Sequence, residues 1–75
     1  MPKLPRIPSF AVIKVLKKAG FYLFYQSRSH VQFRHYVKIN LRLTVPFHKK
    51  DLAPKTLKSI IKQAGMTVEE FLDLI

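Results

Sequence analysis

The sequence predicts an α+β fold: a three-stranded antiparallel sheet with helices on one face, in the order α-β-β-β-α with a short helix at the end. Three observations predict it. Two segments with apolar residues at helical spacing, residues 9–19 and 54–64, each end in a Gly-apolar pair, Gly20-Phe21 and Gly65-Met66. The stretch between them is rich in strand-forming residues, and its last part alternates apolar and polar with period two. At 75 residues, the chain has room for one domain, residues 1–75, near the lower limit for a core without staples.

Residues 1–8 hold three of the five prolines and no periodicity, which predicts an extended lead-in. Ser9, after Pro8, is the expected N-cap of a helix running to about Ala19. Val12, Ile13, Leu16 and Ala19 share its inner side, and Lys14, Lys17 and Lys18 the outer. The last two lysines also suit the negative end of the helix dipole. Gly20 is the expected left-handed C-cap, with Phe21 folding back onto the helix.

Strand one is Phe21 to Gln26, followed by a tight polar turn, and strand two runs from about Ser29 to Tyr36. Alternation from His30 places His30, Gln32 and Arg34 on one face and Val31 and Phe33 on the other. His35 shares the parity of the apolar pair, which predicts a partly buried or strand-end histidine. Val37-Lys38-Ile39-Asn40 has no Gly or Pro to fix a turn. In strand three, Ile39, Leu41, Leu43, Val45 and Phe47 alternate with Asn40, Arg42 and Thr44, and Pro46 ends the ladder or marks an edge. If the registers match, Arg42 and Thr44 join the polar face of His30, Gln32 and Arg34. His48-Lys49-Lys50-Asp51 reads as a basic loop, with His48 a second polar group near that face.

Pro54 suits the first turn of the second helix, which runs to about Ala64. Leu57, Ile60, Ile61 and Ala64 form its buried stripe, while Lys55, Lys58 and Lys62 line the outer side. Thr67 and Glu70 have the spacing of a capping box for a last helix whose apolar side is Val68, Phe71, Leu72 and Ile75. This succession is the arrangement of double-stranded-RNA-binding-domain-like (dsRBD-like) folds.

Charge narrows the function. Fourteen Lys and Arg face four acids, a formal +10, and three of the acids lie in the last seven residues. Residues 1–66 thus set all fourteen cations against Asp51 alone, a formal +13. Such a field attracts polyanions, and nucleic acid is the expected partner. DNA is the weaker reading, because no recognition helix is evident. An anionic membrane surface fits less well, since no basic helix has a clean lipid-facing side. No apolar run approaches the roughly 18 residues of a membrane span, and the run from Phe10 to Leu16 is broken by Lys14 and has no cleavage signal. There are no cysteines, and His30, His35 and His48 lack metal-ligand spacing, so neither metal nor other cofactor is expected. Cytoplasm is the expected location.

Lys3-Leu4-Pro5-Arg6, Ile13 through Phe21, Gln26, Ser29-His30, Phe33-Arg34-His35, Thr44 through His48, and Thr56 through Gly65 occur in this order. Together they resemble the HicA family of toxins, small mRNA interferases paired with a HicB antitoxin in type II toxin–antitoxin systems. The resemblance covers almost the whole chain. It implies a dsRBD-like fold, metal-independent cleavage of RNA, and an acidic antitoxin that covers the histidine and the basic face. The family's catalytic histidine follows Gly-Ser at the start of the second strand, which maps to His30. Three departures stand out. The family Gly is Arg28, a second histidine is replaced by Val31, and the turn between strands two and three is longer and lacks Asp-Gly. Arginine takes positive φ only at a cost, which predicts a turn of different shape.

RNA carries its own nucleophile, the 2′-hydroxyl beside each phosphodiester. Cleavage needs a base for that proton, a cation for the developing phosphorane charge and an acid for the leaving oxygen. An imidazole, with a usual pKa near 6.5, serves as base or acid at physiological pH. His30 is the candidate for that role. Arg28, Arg34, Arg42, Lys55, Lys58 and Lys62 are the candidates for binding RNA. Ser29 reads as a turn residue bonded to local backbone, because no acid–base partner set follows it. Tyr22, Phe24, Tyr25 and Tyr36 suit either base stacking or sheet packing. A non-catalytic RNA-binding module on the same fold, with Arg28 marking a lost active site, is the alternative.

Overall fold

The structure is a computed structural model and describes residues 4–47 and 51–75. The elements follow in the expected order: α1 (Ser9–Lys18), β1 (Phe21–Gln26), β2 (His30–His35), β3 (Arg42–Pro46), α2 (Pro54–Gln63) and α3 (Val68–Asp73). The strands form one antiparallel sheet in the order β1-β2-β3, so β2 is central and both neighbours are edges. A slab only 16 Å thick, against 30 and 27 Å in the other directions, fits one sheet and one layer of helices.

Alternation along β2 and β3 decides which face the helices cover. Val31, Phe33, Leu43 and Val45 point one way and are buried, while His30, Gln32, Arg42 and Thr44 point the other way and are exposed. Against the buried four lie Val12, Val15 and Leu16 of α1, Leu57, Ile60 and Ile61 of α2, and Phe71 of α3. Phe33 and Phe71 are the largest of the fully buried side chains, and truncating Phe33, on the central strand, to Ala costs about 3–5 kcal/mol. Among the described residues, no helix is long and apolar enough to cross a membrane.

Local signals govern most element ends. Gly20 (φ +98°) and Gly65 (φ +71°) close α1 and α2 in the left-handed region. Pro54 opens α2 at its first helical position. Thr67 and Glu70 form the reciprocal capping box, with Glu70 N–H donating to Thr67 Oγ1 (3.1 Å) and Thr67 N–H to Glu70 Oε1 (3.0 Å).

Four expectations are corrected. Ser9 is not the N-cap of α1. Pro8 holds that place in extended conformation, and Ser9 is buried inside the first turn, donating to the Pro46 carbonyl at 2.8 Å. The hydroxyl found a long-range acceptor at the end of an edge strand, so it ties α1 to β3 instead of capping. The inner side of α1 is also turned, with Val15 buried and Ile13 and Ala19 only half-buried. β2 matches the expected span to within one residue at each end, but β3 starts at Arg42 instead of Ile39. Residues 36–41 are held as a loop by Val37 and Lys38 N–H groups on His35 Nδ1 and by Leu41 N–H on the Lys38 carbonyl, which leaves Ile39 exposed. Ile75, past the end of α3, is exposed as well. The basic loop at His48-Lys49-Lys50 lies outside the described residues.

Candidate functional site

The Gln26–Arg34 stretch folds as a hairpin whose corner is built by serines. Ser27 N–H donates to the His30 carbonyl (2.9 Å), which fixes a two-residue loop of Arg28 and Ser29. His30 N–H goes to Ser27 Oγ (3.2 Å), and the same hydroxyl reaches the His30 carbonyl (3.3 Å). A side chain here takes the amide that a tight backbone turn would use. Hence no left-handed residue is needed, and among the described residues no non-glycine residue has positive φ. Arg28 is thereby accommodated at the exposed tip.

Ser29 corrects a further expectation. Its hydroxyl lies 2.9 Å from His30 Nδ1, so it partners the catalytic candidate and leaves the local backbone to Ser27. A hydroxyl both donates and accepts, so it serves either tautomer of the ring. When Nδ1 carries the proton it donates to Ser29 Oγ and Nε2 is a base. When Ser29 donates to Nδ1, Nε2 carries the proton. His30 is exposed, and among the described residues its Nε2 has no hydrogen-bond partner.

His35, at the other end of β2, is the opposite case. Its Nε2–H donates to the Ala19 carbonyl (3.0 Å), and Nδ1 accepts from Val37 N–H (3.0 Å) and Lys38 N–H (2.9 Å). Both nitrogens are engaged with backbone, and the ring meets Phe21 edge-on with centroids 4.8 Å apart. It is a half-buried strand-end histidine, as its parity predicts.

Registers put the rest of the polar face in place. Gln32 lies opposite Thr44 and Arg34 opposite Arg42, so Arg42 and Thr44 do join His30, Gln32 and Arg34. Two guanidinium groups directly opposed on neighbouring strands repel. Arg34 leans across the sheet instead, with Cζ 3.7 Å from the centroid of the Phe24 ring. The chain's four acids sit elsewhere, Asp51 before α2 and Glu69, Glu70 and Asp73 on α3. Gln32, Arg34, Arg42 and Thr44 line a cleft of about 230 Å³, closed at the β3 edge by Gln63 of α2.

Arg28, His30, Arg34 and Arg42 thus share the hairpin tip and the open sheet face. Lys55, Lys58 and Lys62 do not. They are exposed on α2 opposite the stripe that packs on the sheet, on the far side of the slab. Val31 is buried on the closed face. His48 lies outside the described residues. Among the described residues, no three His, Asp or Glu side chains are grouped to hold a metal ion. Ser29, Ser27 and Gln63 were not legible as parts of the site, since their contacts cross a turn or come from another layer.

A family model described as the HicA toxin of bacterial toxin–antitoxin matches residues 11–66, which include the hairpin, the whole sheet and α2. No curated protein matches the chain.

Proposed function

The chain belongs to the HicA toxin family of bacterial toxin–antitoxin systems, and on that premise we propose that it is a metal-independent endoribonuclease acting on mRNA in the cytoplasm, with a cognate HicB-like antitoxin as its protein partner. One observation carries the reading. The exposed His30 presents an Nε2 with no hydrogen-bond partner among the described residues, beside a cationic sheet face, while Ser29 steadies its Nδ1.

In this reading His30 Nε2 takes the proton of a 2′-hydroxyl. The oxygen then bonds to the adjacent phosphorus and the bond from phosphorus to the 5′-oxygen breaks. A 2′,3′-cyclic phosphate and a 5′-hydroxyl result, the leaving oxygen taking up a proton, so nothing beyond RNA is consumed. Arg28 is the cation nearest His30 in the chain and faces the reacting phosphate. The Cα atoms of His30 and Arg34 are about 13 Å apart by strand rise, so Arg42, opposite Arg34, serves a flanking phosphate. Lys55, Lys58 and Lys62 contribute a general field on the other side.

The alternative, an RNA-binding module without catalysis, draws its support from Arg28 in place of the family Gly. That support weakens once the corner is closed by Ser27, because no left-handed residue is then required. The two readings part on His30→Ala. Loss of cleavage with RNA affinity kept within about twofold supports the enzyme. A wild type that binds RNA and never cleaves it supports the module.

A further inference from the structure

Strict alternation along β1 would put Tyr25 on the helix side, since Tyr22 pairs with Arg34 on the open face. The register shifts between Leu23 and Tyr25, and Phe24 is the extra residue of a β-bulge. As a result Tyr25 pairs with Gln32, and its ring moves to the open face. Phe24 reaches the same face, where one side of its ring carries the Arg34 guanidinium. Farther along, Tyr22 and Tyr36 stack with centroids 4.7 Å apart and a tilt of 37°. These rings are not core. Phe24, Tyr25 and Tyr36 are 49%, 57% and 72% exposed.

We propose that the bulge at Phe24 builds a base-stacking platform for unpaired RNA, on which Tyr25 and the Arg34 guanidinium take successive bases beside His30. The inference rests on RNA being the ligand of the open face. Tyr25 is a diagonal neighbour of His30 across the β1–β2 pair, which sets the two residues about 7–8 Å apart with their Cβ atoms somewhat closer. A base next to the cleaved bond reaches Tyr25 at that distance. Arg34, flattened on Phe24, offers a planar cation as the next step, since guanidinium planes stack on bases as aromatic rings do. Charge favours RNA as the occupant: the face carries Arg28, Arg34 and Arg42, and the chain's acids lie elsewhere. Flat stacking surfaces need a base with a free face. Paired bases inside a helix have none, so the platform selects single strands over duplex.

The test is binding of a short unpaired RNA to the full chain carrying His30→Ala, which prevents cleavage, at one fixed salt concentration. Tyr25→Ala in that background weakens binding about 5- to 150-fold, the range of one lost stacking contact. Tyr25→Phe keeps the ring and binds as the parent does. Neither change alters the salt dependence, because no charge is removed. An RNA with a single abasic position at the stacking site shows the same loss with the parent and no further loss with Tyr25→Ala. Parent-like RNA binding by Tyr25→Ala overturns the platform and assigns the exposed rings to a protein partner. Equal losses for single-stranded and fully paired RNA overturn it as well. Failure of the parent to bind any RNA overturns the proposed function itself, which is a separable result.

Discussion

Replacing Gly20 with Ala tests the way His35 holds the end of the sheet. Gly20 has φ +98°, where an L side chain is strained by roughly 1–2 kcal/mol. The added Cβ would lie 2.7 Å from His35 Nε2 and 3.1 Å from its Cε1, so the ring must move. Moving it loosens the bonds to the Ala19 carbonyl and from the Val37 and Lys38 amides. At the low end of their net worth, because this site is half-exposed and water replaces them, these bonds are together worth about 1–2 kcal/mol. The total expected loss is about 2–4 kcal/mol. Gly65→Ala is the internal control: it also has positive φ, +71°, but its Cβ would meet the two methyls of Leu41, Cδ1 and Cδ2, at an ordinary 3.5 and 3.7 Å. That change is expected to cause the backbone loss alone, roughly 1–2 kcal/mol. Urea unfolding of both variants measures the difference. In a His35→Ala background the effect of Gly20→Ala falls to the Gly65→Ala level, since the clash is gone. Equal losses for the two glycines, or a Gly20→Ala loss that His35→Ala leaves unchanged, would refute the account.

Other outcomes follow from the same contacts. His35→Ala lowers stability yet leaves cleavage by the folded protein within about threefold, the reverse of His30→Ala; an activity loss matching that of His30→Ala would place His35 in the chemistry. Arg42→Ala lowers the slope of log affinity against log salt by about 1 in RNA titrations, and an unchanged slope would remove Arg42 from phosphate binding. Thr67→Ala destabilises by about 1 kcal/mol in the same urea assay. The bond from the Thr67 amide, then that with its side chain, then Lys38 nearby, hold the Glu70 carboxyl below the usual carboxylate range. A depressed folded-state value means that the stabilisation is present above the ordinary carboxylate range and is lost as pH falls through the folded value. The advantage of wild type over Glu70→Gln therefore shrinks on acidification. An advantage that grows would contradict the capping box.

Where a short stretch of sequence fixes its own geometry, the structure was legible. Gly20 and Gly65 mark helix ends because only glycine takes their φ cheaply, and Thr67 and Glu70 find each other within one turn. The parity of His30, Gln32 and Arg34 against Val31 and Phe33 followed from period two and placed most of the polar face. What was not legible depended on partners far away in the chain. Ser9 has every local mark of an N-cap, yet its acceptor is 37 residues away. Ile39 continues the alternation of β3 perfectly, but two amides just before it are drawn to His35 and the chain turns there. Tyr25 reaches the open face only through a bulge that no Gly or Pro announces. Lys55, Lys58 and Lys62 were grouped with the arginines by charge alone, which does not say which layer a helix face looks out from.

The most direct test of the central claim is incubation of a long single-stranded RNA with the purified protein in EDTA, wild type beside His30→Ala, with the product ends determined. The account predicts cleavage by wild type that survives chelation and leaves 2′,3′-cyclic phosphate and 5′-hydroxyl ends, and at least about a hundredfold slower cleavage by His30→Ala. Cleavage that needs a divalent cation, or that proceeds equally well without His30, would contradict it.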